Sequence, residues 1–125
     1  MRDKIATLLF LFFTIFSFAQ KDTIVNYLDK KKAAYVSQQD AYFKQLIISN
    51  SNSWNMIMYN QKGELLSNEQ FSDYDLTKKY GEQKYYYTNG QLQLVKTYNT
   101  QSELNGEFQT FFDDGSKNFG GTYKN

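Results

Sequence analysis

The residue types that carry most enzyme chemistry are missing from this chain. Of its 125 residues, none is histidine and none is cysteine. That removes Ser-His and Cys-His nucleophile schemes, the usual proton shuttle and the commonest zinc ligands. Two carboxylate pairs remain, Asp73 with Asp75 and Asp113 with Asp114. Such pairs can bind Ca²⁺ or act as acid and base. No oxygen-rich loop of the EF-hand type surrounds either pair, and both read as solvated turn residues. Gly120-Gly121 is followed by neither Lys-Ser/Thr nor a helix, so it is not a phosphate cradle. Lys30-Lys31-Lys32 reads as a solvated turn. The chemistry-bearing residues therefore argue against an enzyme and assign no catalytic residue, cofactor or metal.

Aromatic residues recur instead. Tyr59, Tyr86 and Phe111 each stand four residues before a glycine: Gly63, Gly90 and Gly115. Trp54, Gly81 and Gly106 stand nine before these glycines, and Phe71, Tyr98 and Tyr123 eight after. This is an internal repeat of three units. One ring per two-stranded hairpin recurs about every 10 Å along a sheet whose strands lie ~4.8 Å apart. A ladder of such rings among Asn, Gln and Lys suits a peptide, glycan or partner-protein surface. Alternatively the sheet curls until the rings pack on one another, because recurring positions commonly serve a fold's own stacking.

The repeat must be positioned by hairpins. Lys62-Gly63, Asn89-Gly90 and Asp114-Gly115 are turn pairs. Asn-Gly and Asp-Gly favour a two-residue type I′ turn, with positive φ at both central positions. The structural turn residues are thus Gly63, Asn89, Gly90, Asp114 and Gly115. A two-residue turn sets Tyr87 opposite Leu92, Tyr85 opposite Leu94, Gly81 opposite Tyr98, Thr110 opposite Phe119, Gly106 opposite Tyr123 and Trp54 opposite Phe71. Tyrosines opposite Gly81 and Gly106 suit rings lying over bare backbone. Alternation then gives a core face of Trp54, Met56, Met58, Leu65, Phe71, Tyr85, Tyr87, Leu92, Leu94, Tyr98, Phe108, Phe112, Phe119 and Tyr123. The other face is mostly polar, with Ile57, Leu66, Val95 and the Tyr59–Tyr86–Phe111 row as exceptions.

Ahead of the repeat, residues 1–19 read as a secretory signal peptide. Arg2 and Lys4 form the basic start, Ile5–Phe16 the apolar run, and Ser17-Phe18-Ala19 the cleavage site. The run is too short to span a membrane comfortably. Cleavage leaves the 14 basic and 13 acidic residues as 12 of each, and a neutral chain lacks the field that drives nucleic-acid binding. The expected location is exported: periplasm, cell envelope or extracellular, with no stable membrane span after cleavage. Residues 20–53 read as an N-terminal β segment packing on the repeats, with strand-like runs at Thr23–Leu28 and Ala41–Ile48. Asp29–Lys32 reads as a charged turn. Residues 33–40 fit either a helix capped by Asp29 or a strand or loop. Residues 54–125 hold the three hairpins. The fold expected is all-β, an elongated antiparallel meander of stacked hairpins.

The segments Gly81-x4-Tyr-Tyr-x-Asn-Gly90-Gln-Leu92 and Gly106-x4-Phe-Phe-x-Asp-Gly115 resemble the bacterial variant of MORN repeats, and the likeness extends from Trp54 to Asn125. That family often has a further glycine six residues after the turn glycine. Gly121 matches it, whereas Glu69 and Lys96 occupy the corresponding positions of the first two units. The resemblance implies a non-enzymatic protein-binding or scaffold module, with a protein partner or envelope component. It also implies an alternative, an immunity or antitoxin-like inhibitor of a partner protein; the aromatic row itself adds a glycan-binding module, or an enzyme of glycan metabolism, because rows of rings bind sugars. An exposed last strand adds self-association through the C-terminal edge to the expected contacts.

Overall fold

The computed structural model of the protein describes residues 22–124. The expected signal peptide at residues 1–19 lies outside the described residues. Eight strands follow one another: β1 (Thr23–Leu28), β2 (Phe43–Ser49), β3 (Trp54–Asn60), β4 (Leu65–Phe71), β5 (Gly81–Tyr86), β6 (Leu92–Tyr98), β7 (Gly106–Phe111) and β8 (Lys117–Tyr123). They form one open sheet in the order β1 to β8, each strand antiparallel to its neighbours in sequence. The protein is all-β with a meander order. Residues 33–40 form no α-helix. Asp29 caps a turn there instead, its Oδ1 accepting from the N–H groups of Ala33 and Ala34. Tyr35 then bridges back to Leu28, and a single 3₁₀ turn covers Gln38–Asp40.

The hairpin turns differ from the expected type I′. In β5–β6 the Gly90 N–H donates to Tyr87 O and the Tyr87 N–H to Gln91 O. Asn60–Glu64 and Phe112–Ser116 repeat this pattern. The loop therefore has three residues, such as Thr88-Asn89-Gly90, in which only the glycine is left-handed: Gly90 has φ +87°, and Asn89 is not among the positive-φ residues. This is a turn followed by a glycine bulge, the next commonest hairpin closure. Asn89 keeps a turn role through its side chain, whose Oδ1 accepts from the Gln91 N–H at 3.0 Å. Asp114 does the same for Ser116 at 2.8 Å. Hydrogen bonds from the Ser116 hydroxyl and N–H hold the exposed Asp114 carboxyl below its ordinary pKa.

The extra loop residue changes the register only near the turn. Trp54–Phe71, Tyr85–Leu94, Gly81–Tyr98 and Gly106–Tyr123 pair as expected. Closer to the loop the ladder slips by one, giving Tyr59–Leu65, Tyr86–Leu92 and Phe111–Lys117. Tyr87 does not pair with Leu92, and Thr110 meets Phe119 through its hydroxyl instead of the ladder. Directly paired residues share a face, so the slip removes Leu65 and Leu92 from the expected core face and sets them beside Tyr59 and Tyr86. The expected cover of Gly81 and Gly106 by tyrosine rings is also corrected. A Cβ on Gly81 would meet the Gln70 side chain at 2.6 Å, and one on Gly106 only Thr97 at 4.0 Å. Glycine is needed at both because φ is +70° and +91°. The ring over bare backbone lies elsewhere, where Phe108 covers Gly121 within 2.9 Å of a Cβ position.

Among the described residues no second layer packs on the sheet, and burial is thin. Leu28, Met58 and Phe71 are the buried hydrophobic residues, accompanied by buried Ser53, Ser67, Glu69 and Gln83. Among the described residues Gln83 alone is fully buried. It stands where the β4–β5 ladder, consisting of Ser67–Tyr85 and Asn68–Lys84, has ended. Its amide takes over from the backbone: Nε2 donates to Gln70 O at 2.9 Å and Tyr80 O at 3.0 Å, and Oε1 accepts from the Gln70 N–H at 3.1 Å.

Replacing Gly90 tests the turn geometry. A Cβ there would touch nothing within 4 Å, so the only cost is the left-handed backbone. Gly90→Ala is expected to lower the unfolding free energy by about 1–2 kcal/mol, and Gly90→Asn by less, because Asn tolerates this region. Urea denaturation of the three proteins measures this order.

Candidate functional site

Tyr59, Tyr86 and Phe111 lie at or next to the ends of β3, β5 and β7, on one face and beside the glycine turns. The register slip seats each opposite a side chain of the partner strand: Leu65, Leu92 and Lys117 respectively. All three rings are half-buried. None touches another: the ring pairs among the described residues are Trp54–Tyr74, Phe108–Phe119 and Phe108–Tyr123. The rings are separated by two strands, about 10 Å. The row also extends beyond its expected members. Tyr59 pairs with Lys44 on β2, and Lys44 with Tyr27 on β1. Tyr27, Leu46 and Tyr59 share a groove of about 430 Å³ with Gln38 and Gln39 of the 3₁₀ turn. At the other end Phe111 and Val95 line a groove of about 570 Å³ that also holds Glu82, Glu107 and Lys117.

Tyr27 and Lys44 could not be placed in the row from sequence, because the β2–β3 loop at Asn50–Ser53 has no glycine to fix a register. It is closed by the Asn50 N–H on Ser53 O, and Asn50, Asn55 and Asn68 form a hydrogen-bonded side-chain ladder across β3 and β4.

The opposite face carries a charged cluster that the residue pattern did not single out. Glu69 on β4 is paired with Lys79 at 3.0 Å and accepts a short hydrogen bond from the Tyr85 hydroxyl. Lys79 also donates to that hydroxyl at 3.1 Å. Lys79 and Lys96 both stand 5.7–5.9 Å from the ring centroids of Tyr85 and Tyr98, within cation–π range. Lys79 arrives from the β4–β5 connector, held by its bridge to Phe71. Burial disfavours its ammonium, but hydrogen bonds to Tyr85 and Glu69 and the Glu69 charge outweigh that, so its pKa lies above the ordinary lysine value. Burial raises the Tyr85 pKa too, and donation to Glu69 adds to the effect. Tyr85 is thus a neutral phenol linking an anion to a cation. The only advance sign was that Glu69 and Lys96 occupy the position held by Gly121 in the third hairpin.

The remaining candidate groups organise loops. Asp73 accepts from the Thr77 hydroxyl and the Thr77 and Lys78 N–H groups. The Thr77 hydroxyl above all holds its exposed carboxyl below the ordinary value. Lys32 sits at φ +58° with its ammonium 4.5 Å from the Phe43 ring centroid. Gly120 and Gly121 lie inside β8. Among the described residues no group of three metal-ligating side chains converges, and no helix is long and apolar enough to cross a membrane. Comparison with protein-family models, with curated proteins and with solved structures gives no match.

The cluster gives a pH-dependent test. Folding raises both the Lys79 and Tyr85 pKa values, so the unfolded chain loses these protons first. The linked stability is complete below their unfolded values of 10.5 and 10.0, and is lost as pH rises through the folded ones. The urea midpoint is expected to hold from neutral pH to about pH 9 and to fall above pH 10. Glu69→Gln should flatten that fall. At neutral pH it should cost about 1–2 kcal/mol, less than a fully buried pair because Lys79 is partly exposed.

Proposed function

We propose that the protein is an exported, non-enzymatic binding or scaffold module at the cell envelope, built of MORN-like hairpin repeats, and that it engages a partner protein through the face bearing Tyr59, Tyr86 and Phe111. The observation that carries this reading is the regular, unstacked row itself. Three rings recur in the same place on successive hairpins, half-exposed and clear of one another. Rings that served only the fold's own stacking would meet. Leu65 and Leu92 between them supply apolar surface, while Lys44, Glu82 and Lys117 give the row a charged rim. Aromatic anchors with a polar border are the composition of protein-binding hot spots.

The experiment is capture from an envelope fraction on immobilised protein, with the double variant Tyr86→Ala/Phe111→Ala and with Lys96→Met on the opposite face. Each lost anchor is worth about 1–2 kcal/mol, so the double variant should retain a tenth or less of the bound partner. Lys96→Met should capture as the wild type does. If the double variant keeps the wild-type circular dichroism and the full complement of partner, the row is not the binding surface.

A further inference from the structure

Lys96 is the unbalanced member of the charged cluster. Glu69 forms its ion pair with Lys79, and Lys96 makes none among the described residues. Two ammonium groups and one carboxylate leave a single positive charge, held half-buried between the Tyr85 and Tyr98 rings. This charge borders a groove of about 650 Å³ over β5 to β8. Gln93 and Asn118 reach the same groove from the register breaks in β6 and β8. Their side-chain amides make no hydrogen bond within the described residues, so they are free to donate and accept. The other polar groups at hand are largely committed: the Thr110 hydroxyl to the Phe119 backbone, and the Tyr87 hydroxyl to Phe111 O at 2.9 Å. Among the described residues no carboxylate lines the groove.

We infer that this groove is a binding site for an acidic saccharide, in which Lys96 takes the carboxylate of a uronic acid residue and Gln93 and Asn118 take its ring hydroxyls. The charge selects the anion. One uncompensated ammonium matches a carboxylate monoanion, whereas a phosphate dianion calls for more positive charge or a bidentate arginine. The position selects the saccharide over a peptide. An extended peptide draws affinity from an open strand edge, whereas this groove lies on the face of the sheet, over the Tyr85–Leu94 and Leu94–Thr110 pairs. Recognition must come from side-chain amides, an ammonium and aromatic faces, which suit the hydroxyls and apolar C–H face of a sugar ring. Phe111 borders this groove as well as the ring row, so Tyr86→Ala is the variant that separates the two surfaces.

The test is calorimetric titration of the full chain with a galacturonate hexamer, sodium glucuronate, a neutral hexasaccharide, sodium acetate and inorganic phosphate. The hexamer is expected to bind more tightly than the neutral saccharide and phosphate, with affinity falling as salt rises. Glucuronate binding more tightly than acetate identifies the single residue as the recognised unit. Hexamer binding without detectable glucuronate binding assigns recognition to the polymer. Lys96→Met keeps the stem that packs on the tyrosines and removes the charge. It should weaken hexamer binding by about tenfold or more, the loss of one charge-assisted hydrogen bond. Gln93→Ala/Asn118→Ala, at two exposed positions, provides the same test should Lys96→Met fail to fold. Tyr86→Ala should bind the hexamer as the wild type does, so failure of the partner-binding reading leaves this result standing. Equal binding of hexamer and neutral saccharide, tighter binding of phosphate, or unchanged binding by a folded Lys96→Met protein would overturn the inference.

Discussion

Every strand of this protein is bonded only to its neighbours in sequence, and no second layer covers the sheet among the described residues. A sheet normally buries one face against another element. Here the cohesion must come from the ladders and from rows of side chains that cross them, as in repeat proteins whose stability is close to a sum of local and nearest-neighbour terms. The buried residues reflect this. Ser67, Glu69 and Gln83 outnumber no ordinary apolar core; they sit with Met58 and Phe71 along the seam where two hairpins meet. Ser67 still pairs with Tyr85, but one step past the end of that ladder Gln83 supplies through its side-chain amide the hydrogen bonds that the backbone no longer makes.

The glycine bulge at each hairpin turn has an effect beyond the turn. By adding a loop residue it slips the last pair of each ladder, and so moves the residues nearest the turn out of phase with those farther along. Met58 and Ser67 pair in the original phase; Tyr59 and Leu65, immediately beyond, pair in the shifted one. The same step in β5–β6 puts Leu92 beside Tyr86 and leaves Gln93 at the break. One backbone device therefore builds both surfaces. It lines the ring row with leucines on one face and brings free amides to the Lys96 groove on the other.

Much of the fold was legible because the glycine spacing fixes strand lengths and most registers. Trp54–Phe71, Gly81–Tyr98 and Gly106–Tyr123 follow from counting outward from the turns. The turn type was not legible. Asn89-Gly90 satisfies a two-residue loop with Asn left-handed and a three-residue loop with only Gly left-handed, and the difference appears in the hydrogen bonds of Tyr87 and Gly90. A two-residue loop puts Leu65 and Leu92 on the core face, and the glycine bulge alone moves them to the other. The ring row could be read as a spacing, but its extension to Lys44 and Tyr27 could not, since the Asn50–Ser53 loop carries no residue that sets a register. The charged cluster was invisible for a different reason. Lys79 belongs to a connector, and nothing in its local sequence says that the connector folds back along Phe71 to deliver an ammonium to Glu69.

The position six residues after each turn glycine shows how a repeat can keep its backbone and vary its chemistry. It is occupied by Glu69, Lys96 and Gly121, facing Met56, Gln83 and Phe108. In the third hairpin the glycine lets Phe108 lie flat on the strand, where it also meets Phe119 and Tyr123 at centroid distances of 5.6 and 4.8 Å. In the first two hairpins the same place holds opposite charges. Their neighbour Tyr85 cannot ionise without facing Glu69, so it remains a hydrogen-bonding bridge and the charges stay fixed. A glycine at Lys96 would preserve the strand and remove the cation, as Gly121 already does one hairpin later. The charge is therefore an addition to the scaffold, and its imbalance with Glu69 is a property of the surface it faces.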